Sequence, residues 1–220
     1  MFLTERLQKI YDKIPQVKVL ADVGCDHGYI GNMALVEKRA EFVHFCDISR
    51  PSLRKAQELA GKLKHRNCDF ICQDGLGKLQ VDCAVIAGMG GMEIISILQK
   101  AQHLPQTLVL QPMQSQPELR SFLCENYHID VDYMFIVQDK RYDLIVATRG
   151  SDTLDELQLE FGKTNLVSPS QDFIDMLKYR RLLYSKVIVY SQHPMLVKKL
   201  NTVIDLLTKF QGEKWCKKKF

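Results

Sequence analysis

The sequence predicts an α/β protein in which a doubly wound, mostly parallel sheet is followed by an antiparallel helical hairpin. Short apolar segments alternate with helical segments as far as Thr148, and glycine-rich turns follow several of them. After Pro194 the apolar residues recur at alternating intervals of three and four, which is typical of a coiled-coil seam. We expect residues 1–163 to form the sheet domain and residues 164–220 the hairpin.

Composition indicates a reduced protein with one main core. A chain of 220 residues with 46% apolar composition can bury one substantial core and an appendage. The seven cysteines are scattered and never spaced as C-x-x-C, which favours free thiols in the cytoplasm over disulfides or a metal site. No apolar run approaches the roughly 18 residues of a membrane span. We therefore expect no membrane and no bound metal; the oligomeric state stays open, and a monomer fits.

The elements can be placed in order along the chain. Apolar residues at helical spacing between Leu7 and Ile14 predict a first helix, a lid or flank that Pro15 ends. The last two strands lack a helix between them, which predicts an antiparallel hairpin around Asp139. In the C-terminal part, 187–190 could be helix or strand. The predicted strands are Val17–Val23, Phe42–Cys46, Cys68–Cys72, Val81–Ala87, Thr107–Leu110, Val131–Val137 and Leu144–Thr148; the predicted helices are Ile30–Val36, Pro51–Lys64, one from Met92, Pro117–Leu123, about Gln171–Tyr190, and one after Pro194.

The glycine-punctuated segment between the first strand and its helix, residues 21–31, predicts a nucleotide-cofactor loop. Gly24 and Gly28 lie in the bend, where a ligand can approach the backbone and the helix start offers a partial positive charge. Dinucleotides and S-adenosylmethionine both use this geometry. In G-x-G-x-x-G the second glycine faces a pyrophosphate, but here that position is Asp26. A carboxylate suits a sulfonium and an ammonium better, so S-adenosylmethionine is favoured, with a ligand-free tight turn as the alternative.

Acidic and glycine residues also follow the next strands. Asp47 ends the second strand and could accept both ribose hydroxyls, although an acid that merely caps a helix is the alternative. Asp74 follows the third strand and could bond the adenine amino group. Gly88-Met89-Gly90-Gly91 follows the fourth, where either a ligand or a tight turn explains the glycines. Ligands of such sheets bind beyond the carboxyl ends of the strands, where all these residues lie.

Charge divides the chain unevenly. Residues 1–163 carry 19 Lys and Arg against 22 Asp and Glu, a net charge of about −3, whereas residues 164–220 carry 11 against 4, about +7. Such an asymmetry favours an anionic partner for the C-terminal part, with a solvated helical face as the alternative.

Five motifs, taken in order, resemble the bacterial tRNA (adenine-22-N1)-methyltransferase family. They are D-V-G-C-D-H-G-Y from Asp22, C-D-I-S from Cys46, Q-D-G from Gln73, G-M-G-G from Gly88 and Q-P-M from Gln111. The resemblance covers the whole chain and implies a Rossmann-like class I methyltransferase domain with a helical hairpin. It also implies methyl transfer from S-adenosylmethionine to N1 of adenine 22 in the D-loop of tRNA. No N-P-P-Y follows the fourth strand, so the apparatus for methylating an exocyclic amine is missing.

The implied chemistry needs few catalytic groups. Adenine N1 attacks through a lone pair and loses no proton, so in-line positioning matters most, and a carboxylate can stabilise the cationic product. Asp26 is the candidate for that charge, with His27 and Tyr29 orienting or stacking the base, although His27 could be a structural loop residue. The candidate cofactor residues are Asp22, Gly24, Cys25, Gly28, Asp47, Ile48, Gln73, Asp74, Gly75, Gly88, Met89 and Gly90.

Other functions stay open at this point. The chain could methylate another RNA or a small substrate. It could be a dinucleotide-dependent oxidoreductase, or an RNA-binding protein with a vestigial cofactor site.

Overall fold

The computed structural model describes the backbone of residues 2–191 and 193–217 and the side chains of residues 2–191 and 193–210. The chain divides into two compact units, Met1–Lys163 and Thr164–Phe220. The strands are β1 (Val17–Val23), β2 (Ala40–Asp47), β3 (Cys68–Cys72), β4 (Cys83–Met89), β5 (Thr107–Pro112), β6 (Tyr127–Val137) and β7 (Lys140–Arg149). The helices are α1 (Glu5–Tyr11), α2 (Tyr29–Val36), α3 (Arg50–Lys62), α4 (Gly91–Lys100), α5 (Gln116–Leu123), α6 (Glu156–Phe161), α7 (Lys163–Val167), α8 (Gln171–Ile188) and α9 (Pro194–Lys217).

Within the described residues of the first unit, one seven-stranded sheet has the order β3-β2-β1-β4-β5-β7-β6. The strands from β1 to β5 are parallel, and β7 pairs antiparallel with both β5 and β6. The chain order reverses between β1 and β4, so this sheet has a switch point there, where α/β proteins bind their ligands. The predicted fold class is confirmed.

Helices cover both faces of the sheet because successive strand residues point to opposite sides. Leu20 packs with Ile10 of α1, Ile30 of α2 and Leu53 of α3 in one core cluster. The neighbouring Ala21 packs in a second cluster with α4 and α5. Runs such as Leu20 to Val23 are therefore buried throughout, which is why β1 shows no polar alternation.

The predicted elements exist, but several ends differ. β4 begins at Cys83 rather than Val81. Just before it, the carboxylate of Asp82 accepts the N–H groups of Lys18 and Val19 at 3.0 and 2.9 Å, which ties this point of the chain to β1. β6 begins at Tyr127, four residues earlier than expected, since pairing with β7 extends through polar residues. The helices α6 and α7 were not predicted from the sequence. A capping box, in which Asp155 and Gln158 bond each other's backbone, begins α6.

In the second unit α8 and α9 pack against each other as the predicted helical hairpin. Phe173 of α8 meets Phe210 of α9 edge to face at 6.1 Å. The seam residues Val203, Leu207 and Phe210 are buried. The ambiguous segment is helical as far as Ile188.

Two further expectations concern the cysteines and membrane-spanning helices. The six cysteines from Cys25 to Cys124 are free thiols, and the side chain of Cys216 lies outside the described residues. No helix in the described part is long and apolar enough to cross a membrane.

Candidate functional site

A cleft of about 590 Å³ opens at the carboxyl ends of β1 to β4. It is lined by every sequence-predicted site residue except two, Gly28 and Gly90. The members it brings together are Asp22, Gly24, Cys25, Asp26, His27, Tyr29, Asp47, Ile48, Gln73, Asp74, Gly75, Gly88 and Met89. Residues as far apart in sequence as Asp22 and Met89 thus share one cavity, because parallel strands end at the same edge of the sheet.

The β1–α2 loop is fixed to the neighbouring strand. The N–H groups of Gly24 and Cys25 both donate to the carbonyl of Cys46, at 2.8 and 3.2 Å. Gly24 has a φ of +67°, and a Cβ there would lie 2.0 Å from Cε of Met89. The loop therefore needs glycine at this position for its conformation and for the approach of Met89.

Gly28 has a packing role that the sequence reading did not separate from ligand binding. A Cβ on Gly28 would lie 2.7 Å from Cβ of Ala56 on α3 and 3.0 Å from the ring of Phe45. The residue lets α2 begin close to α3, and it does not line the cleft. Its predicted contact with a cofactor stays a prediction.

Asp22 lies at the buried base of the loop. Its side chain is 4% exposed, and Oδ2 accepts the N–H of Gly31 at 2.9 Å. Burial raises the pKa of Asp22 to about 7, the hydrogen bond from Gly31 opposes the shift, and the charge of Asp47 adds to it. This carboxyl group can therefore change its charge near neutral pH.

Asp47 joins the end of β2 to the loop. Its Oδ1 accepts the N–H of Ser49 at 2.8 Å, and its Oδ2 accepts the N–H of Asp26 at 3.1 Å. Ser49 itself caps α3, so Asp47 supports the helix start without being its cap. The second hydrogen bond holds Asp26 at a φ of +45°, in the left-handed region that Asp tolerates better than most residues.

The three candidate catalytic side chains lie together on the outer side of the loop. The rings of His27 and Tyr29 are stacked, with centroids 5.2 Å apart and planes within 8°. Nε2 of His27 lies 3.6 Å from Oδ2 of Asp26, and Nζ of Lys55 lies 3.5 Å from Oδ1. The carboxylate of Asp26 is 61% exposed and open to a substrate.

The end of β3 contributes a turn rather than a free set of ligands. Nε2 of Gln73 donates to the carbonyl of Gly75 at 2.8 Å, which closes the turn. Oδ2 of Asp74 pairs with Nζ of Lys100 at 2.7 Å on the surface. Gly75, at a φ of +83°, leaves room for Ile97, which also lines the cleft. Ile48 is 72% exposed at the rim.

The glycines at the end of β4 and just after it divide between two roles, ligand approach and packing. A Cβ on Gly91 would lie 2.4 Å from the carbonyl oxygen of Ser115, and one on Gly90 would lie 3.2 Å from Nε2 of Gln114. Both positions serve the packing of the loop that precedes α5. Gly88 alone of the three lines the cleft, and the nearest atom to a Cβ there would be Nη2 of Arg6 at 2.9 Å.

Two helices contribute lining residues that the sequence did not predict. Thr4, Arg6 and Leu7, in and before α1, line the cleft, as do Glu93 and Ile97 of α4. The one indication in the sequence was the predicted role of α1 as a lid or flank; nothing indicated the contribution of α4. The described residues contain no group of three or more His, Cys, Asp or Glu side chains that could hold a metal ion.

Comparison with known proteins identifies the family. The family model described as a methyltransferase domain matches residues 3–145. The tRNA (adenine(22)-N(1))-methyltransferase of Bacillus subtilis is 30% identical over 156 residues, covering 67% of this chain and 66% of that protein. A Mycoplasma pneumoniae protein, whose name proposes it as a tRNA methyltransferase, is 39% identical over 133 residues, covering 56% of this chain. The matches cover 61% of that protein and 58% of a second relative, from Mycoplasma genitalium, so the chain spans about three fifths of the length of these two relatives.

Solved structures share the fold. Streptococcus pneumoniae Sp1610 superposes with a TM-score of 0.87 at 20% identity, over 94% of this chain and 100% of that chain. TrmK of M. capricolum, solved with S-adenosyl-homocysteine, superposes with a TM-score of 0.83 at 24% identity, over 96% of this chain and 98% of that one. At these identities the superpositions establish the fold. Since the family model covers more than half of the chain, this protein belongs to the methyltransferase-domain family.

Proposed function

We propose that this protein transfers a methyl group from S-adenosylmethionine to N1 of adenine 22 in the D-loop of tRNA. The observation that carries the proposal is the alignment with the Bacillus subtilis enzyme, which is named for this reaction and is 30% identical over 156 residues. The family, the cleft at the switch point and the acidic loop residue Asp26 agree with it.

The cleft fits the chemistry of this cofactor. Five acids line it, and a methyl donor with a sulfonium and an ammonium group is stabilised by such surroundings. A dinucleotide pyrophosphate would instead be repelled by the carboxylate of Asp26 and by the buried Asp22. The acids are Asp22, Asp26, Asp47, Asp74 and Glu93.

Three groups of the chain would hold the nucleoside. Asp47 ends β2 at the cleft, where its carboxylate can accept ribose hydroxyls while its other contacts anchor the loop. Ile48 at the rim offers an apolar surface to the adenine, and Asp74 can accept from its amino group. Gly24 leaves the backbone of the loop open beside them.

When bound, S-adenosylmethionine supplies an electrophilic methyl group on a positively charged sulfur. Asp26 then holds a fixed negative charge at the mouth of the cleft, where methylated adenine acquires its positive charge. The stacked rings of His27 and Tyr29 offer a flat surface on which an unpaired adenine can rest. No residue needs to remove a proton, because N1 attacks through its lone pair.

The second unit would contribute affinity for tRNA. Residues 164–220 carry a net charge of about +7, which suits phosphate groups. On α8 and just after it, Tyr179 and Tyr190 are 49% and 90% exposed, and such rings can stack on bases. Charge and exposed aromatic rings on one hairpin support an RNA partner over a merely solvated face.

A methyl-transfer assay tests the proposal. Purified protein is incubated with tritiated S-adenosylmethionine and tRNA from a strain that lacks this protein, and the tRNA is then digested and its nucleosides are separated. We expect label in 1-methyladenosine at position 22, and none when adenine 22 is replaced by guanine. Label in a different nucleoside would indicate another RNA target, and no label in any RNA would contradict the proposed reaction.

A further inference from the structure

A charged surface beside the cleft is used neither by the motifs nor by the proposed mechanism. It lies where β6 and β7 leave the sheet. The last pair between β5 and β7 is Leu110 with Ile145, whereas β6 and β7 stay paired as far as Val137 and Lys140. The residues from Lys140 to Leu144 continue beyond that last pair over about 17 Å, while β5 itself ends two residues later. The β6–β7 turn therefore projects past the carboxyl edge of the sheet, where the cleft opens.

One side of this projecting strand pair carries a row of aromatic rings. Tyr142 lies opposite Phe135, and Tyr133 lies two residues further along β6, so the three rings point to the same side. The ring centroids lie 5.5 Å apart for Phe135 and Tyr142, and 6.1 Å apart for Tyr133 and Phe135. By the same alternation Lys140 belongs to the side of the rings, whereas Arg141 belongs to the other side.

Lysines at α1 lie over these rings. Nζ of Lys9 lies 5.5 Å from the ring centroid of Phe135, and Nζ of Lys13, just after the helix, lies 5.7 Å from that of Tyr133. Lysines that pack their stems in this way keep the ammonium group in water. Lys140 extends the same side to the exposed end of the strand pair. We call Lys9, Lys13 and Lys140 the lysine row.

Carboxylates compensate little of the charge of the lysine row. Lys9 pairs with Glu5 at 3.9 Å, a long distance for an ion pair. Asp12, which precedes Lys13 in sequence, accepts a hydrogen bond from a side chain of α1. In the described part of the chain, no carboxylate lies within ion-pair distance of Lys13 or Lys140. Two of the three lysines are thus available to an anionic partner.

We propose that the lysine row binds phosphate groups next to the target adenosine of the substrate RNA. The proposal rests on the proposed function, because it describes how the same tRNA approaches the same cleft. An adenine that enters this cleft meets five acids, and these acids repel the phosphates on both sides of its nucleoside. Cations beside the cleft reduce that repulsion. Contacts of this kind would add to those proposed for the second unit.

The position and spacing of the lysine row favour an RNA strand over an acidic protein. Arg6 lines the cleft and its Cζ lies 5.3 Å from the ring centroid of Tyr142, so the row of rings starts at the point where a nucleoside would enter. The rings under Lys9 and Lys13 are two strand residues apart, about 7 Å, which is close to the separation of successive phosphates in RNA. Lysines already held over rings also lose less conformational freedom on binding.

Two matched pairs of substitutions test the proposal. Lys13→Gln combined with Lys140→Gln, the row pair, removes the two lysines without an ion pair. Arg141→Gln combined with Lys18→Gln, the control pair, removes the same charge from the other side of β7 and from the amino end of β1. Filter binding of tRNA is measured at four or more salt concentrations. We expect the row pair to weaken binding about three- to tenfold at physiological salt and to decrease the magnitude of the salt slope by about 1 to 2, with the control pair within about twofold of the wild type.

Neutral linkages in the RNA show which phosphates are bound. Four tRNAs each carry one uncharged methylphosphonate at one of the four linkages nearest to adenosine 22, on a 2′-deoxy nucleotide. The reference tRNAs carry the same 2′-deoxy nucleotide with an ordinary phosphate. At least one neutral linkage should weaken binding to the wild type and to the control pair by about two- to fivefold, and should have no further effect on the row pair.

Two measurements show whether the row pair keeps its fold. Its affinity for S-adenosylhomocysteine and its midpoint of thermal unfolding should equal those of the wild type, because neither lysine lines the cleft. If the midpoint falls, Lys140→Gln alone repeats the test from the exposed turn. This single variant should decrease the magnitude of the salt slope by about 1 and should lose the response to the same neutral linkage.

The outcomes separate this proposal from the proposed function. A wild-type salt slope in the row pair, or neutral linkages whose effects do not depend on the two lysines, would overturn the proposal even where adenine 22 is methylated. Equal losses in the row pair and the control pair would also overturn it, because tRNA binding would then depend on the total charge of the first unit. If the wild type leaves adenine 22 unmethylated, the proposed function itself fails.

Discussion

The cleft of the first unit and the hairpin of the second differ in charge and in how their side chains are held. In the cleft, two acids are fixed by hydrogen bonds from the backbone: Asp22 accepts the N–H of Gly31, and Asp47 accepts the N–H groups of Asp26 and Ser49. On the hairpin, cations such as Arg181 and Lys186 are exposed. Fixed acids suit a small cationic ligand whose geometry must be exact to within fractions of an ångström, and exposed cations suit a large polyanion with many equivalent contacts.

This contrast leads to different expected responses to substitution. Removal of one acid in the cleft should change a rate or an affinity strongly, because each acid makes a particular contact. Removal of one cation on the hairpin should weaken RNA binding only slightly. Removal of several cations should weaken it in proportion to their number.

The largest effect is expected for Asp26→Asn. Asparagine tolerates the left-handed conformation that Asp26 adopts at φ +45°, so the loop should keep its shape and lose only the charge. If that charge stabilises the methylated adenine, the single-turnover rate at saturating tRNA should fall by about 10² or more. Cofactor affinity, measured separately by titration, should change far less.

Lys55→Gln is the matched control for Asp26. It removes the cation 3.5 Å from the Asp26 carboxylate and leaves the carboxylate itself in place. We expect a rate close to that of the wild type, because exposed ion pairs contribute little. A near-native rate in Asp26→Asn would remove Asp26 from catalysis, and a loss confined to cofactor affinity would make it a cofactor ligand.

Asp47→Ala should have the next largest effect, on cofactor affinity. It removes charge-assisted hydrogen bonds to the ribose, worth roughly 1.5 to 3 kcal/mol, or about ten- to a hundredfold in the dissociation constant. It also removes the acceptor for the N–H of Asp26, so the methylation rate at saturating cofactor should fall as well. Titration with S-adenosylhomocysteine measures the first effect and single-turnover kinetics the second.

Asp47→Asn separates the two roles of this residue. Its amide oxygen can still accept one N–H group from the loop, whereas the negative charge toward the ribose is lost. An affinity loss in both variants with a rate loss only in Asp47→Ala would support both roles. Wild-type affinity in Asp47→Ala would exclude Asp47 from the cofactor site.

Local patterns account for the parts of this site that could be predicted from the sequence. The acids and glycines of the β1–α2 loop lie within ten residues of each other. The carboxyl ends of parallel strands lie at the same edge of the sheet, so residues that follow different strands come close together. Contacts between distant residues explain what was missed. Arg6 bonds Gln111 across 105 positions, and nothing in the spacing of either residue indicates that pair.

Glycine residues were the least specific indication of the cofactor site. Gly24 and Gly88 border the cleft, whereas Gly28 and Gly91 are required by packing against Ala56 and Ser115. The same residue type in the same kind of bend therefore serves two purposes, and only the neighbouring atoms distinguish them. The missed α6 is different, because the capping box formed by Asp155 and Gln158 was present in the sequence as a helix-start signal.

The third prediction concerns pH and the buried acid of the cleft. In the folded protein the pKa of Asp22 is raised to about 7 from an ordinary value of 3.8. Between these values the folded state keeps a proton that the unfolded state has lost, so the contribution of Asp22 to stability decreases as the pH rises from about 4 to about 7. Above pH 7 the whole cost of the buried charge is present.

Asp22→Asn removes this dependence, because an amide does not titrate and its oxygen can still accept the N–H of Gly31. Urea unfolding of both proteins at pH 5 and pH 8 should show the variant gaining stability relative to the wild type at the higher pH, by about 1 to 3 kcal/mol. Because the other titrating groups contribute equally to both proteins, their effect cancels in the difference between the two free energies of unfolding. An equal difference at both pH values would mean that Asp22 is ionised throughout this range.

The smallest effect is expected on the hairpin. Arg181→Gln combined with Lys186→Gln removes two exposed cations from α8. If both contact phosphates, the slope of log affinity for tRNA against log salt concentration should decrease in magnitude by about 1 to 2, and affinity at physiological salt should fall modestly. S-adenosylhomocysteine affinity should not change.

The control for the hairpin removes the same charge from the first unit. Lys62→Gln combined with Lys78→Gln replaces two exposed lysines that do not line the cleft. Filter binding of tRNA at four or more salt concentrations gives the slope for each protein. A decrease for the hairpin pair alone assigns the phosphate contacts to the second unit. Equal decreases for both pairs would mean that tRNA binding depends on the total charge of the protein. The assignment of tRNA binding to the hairpin would then be wrong.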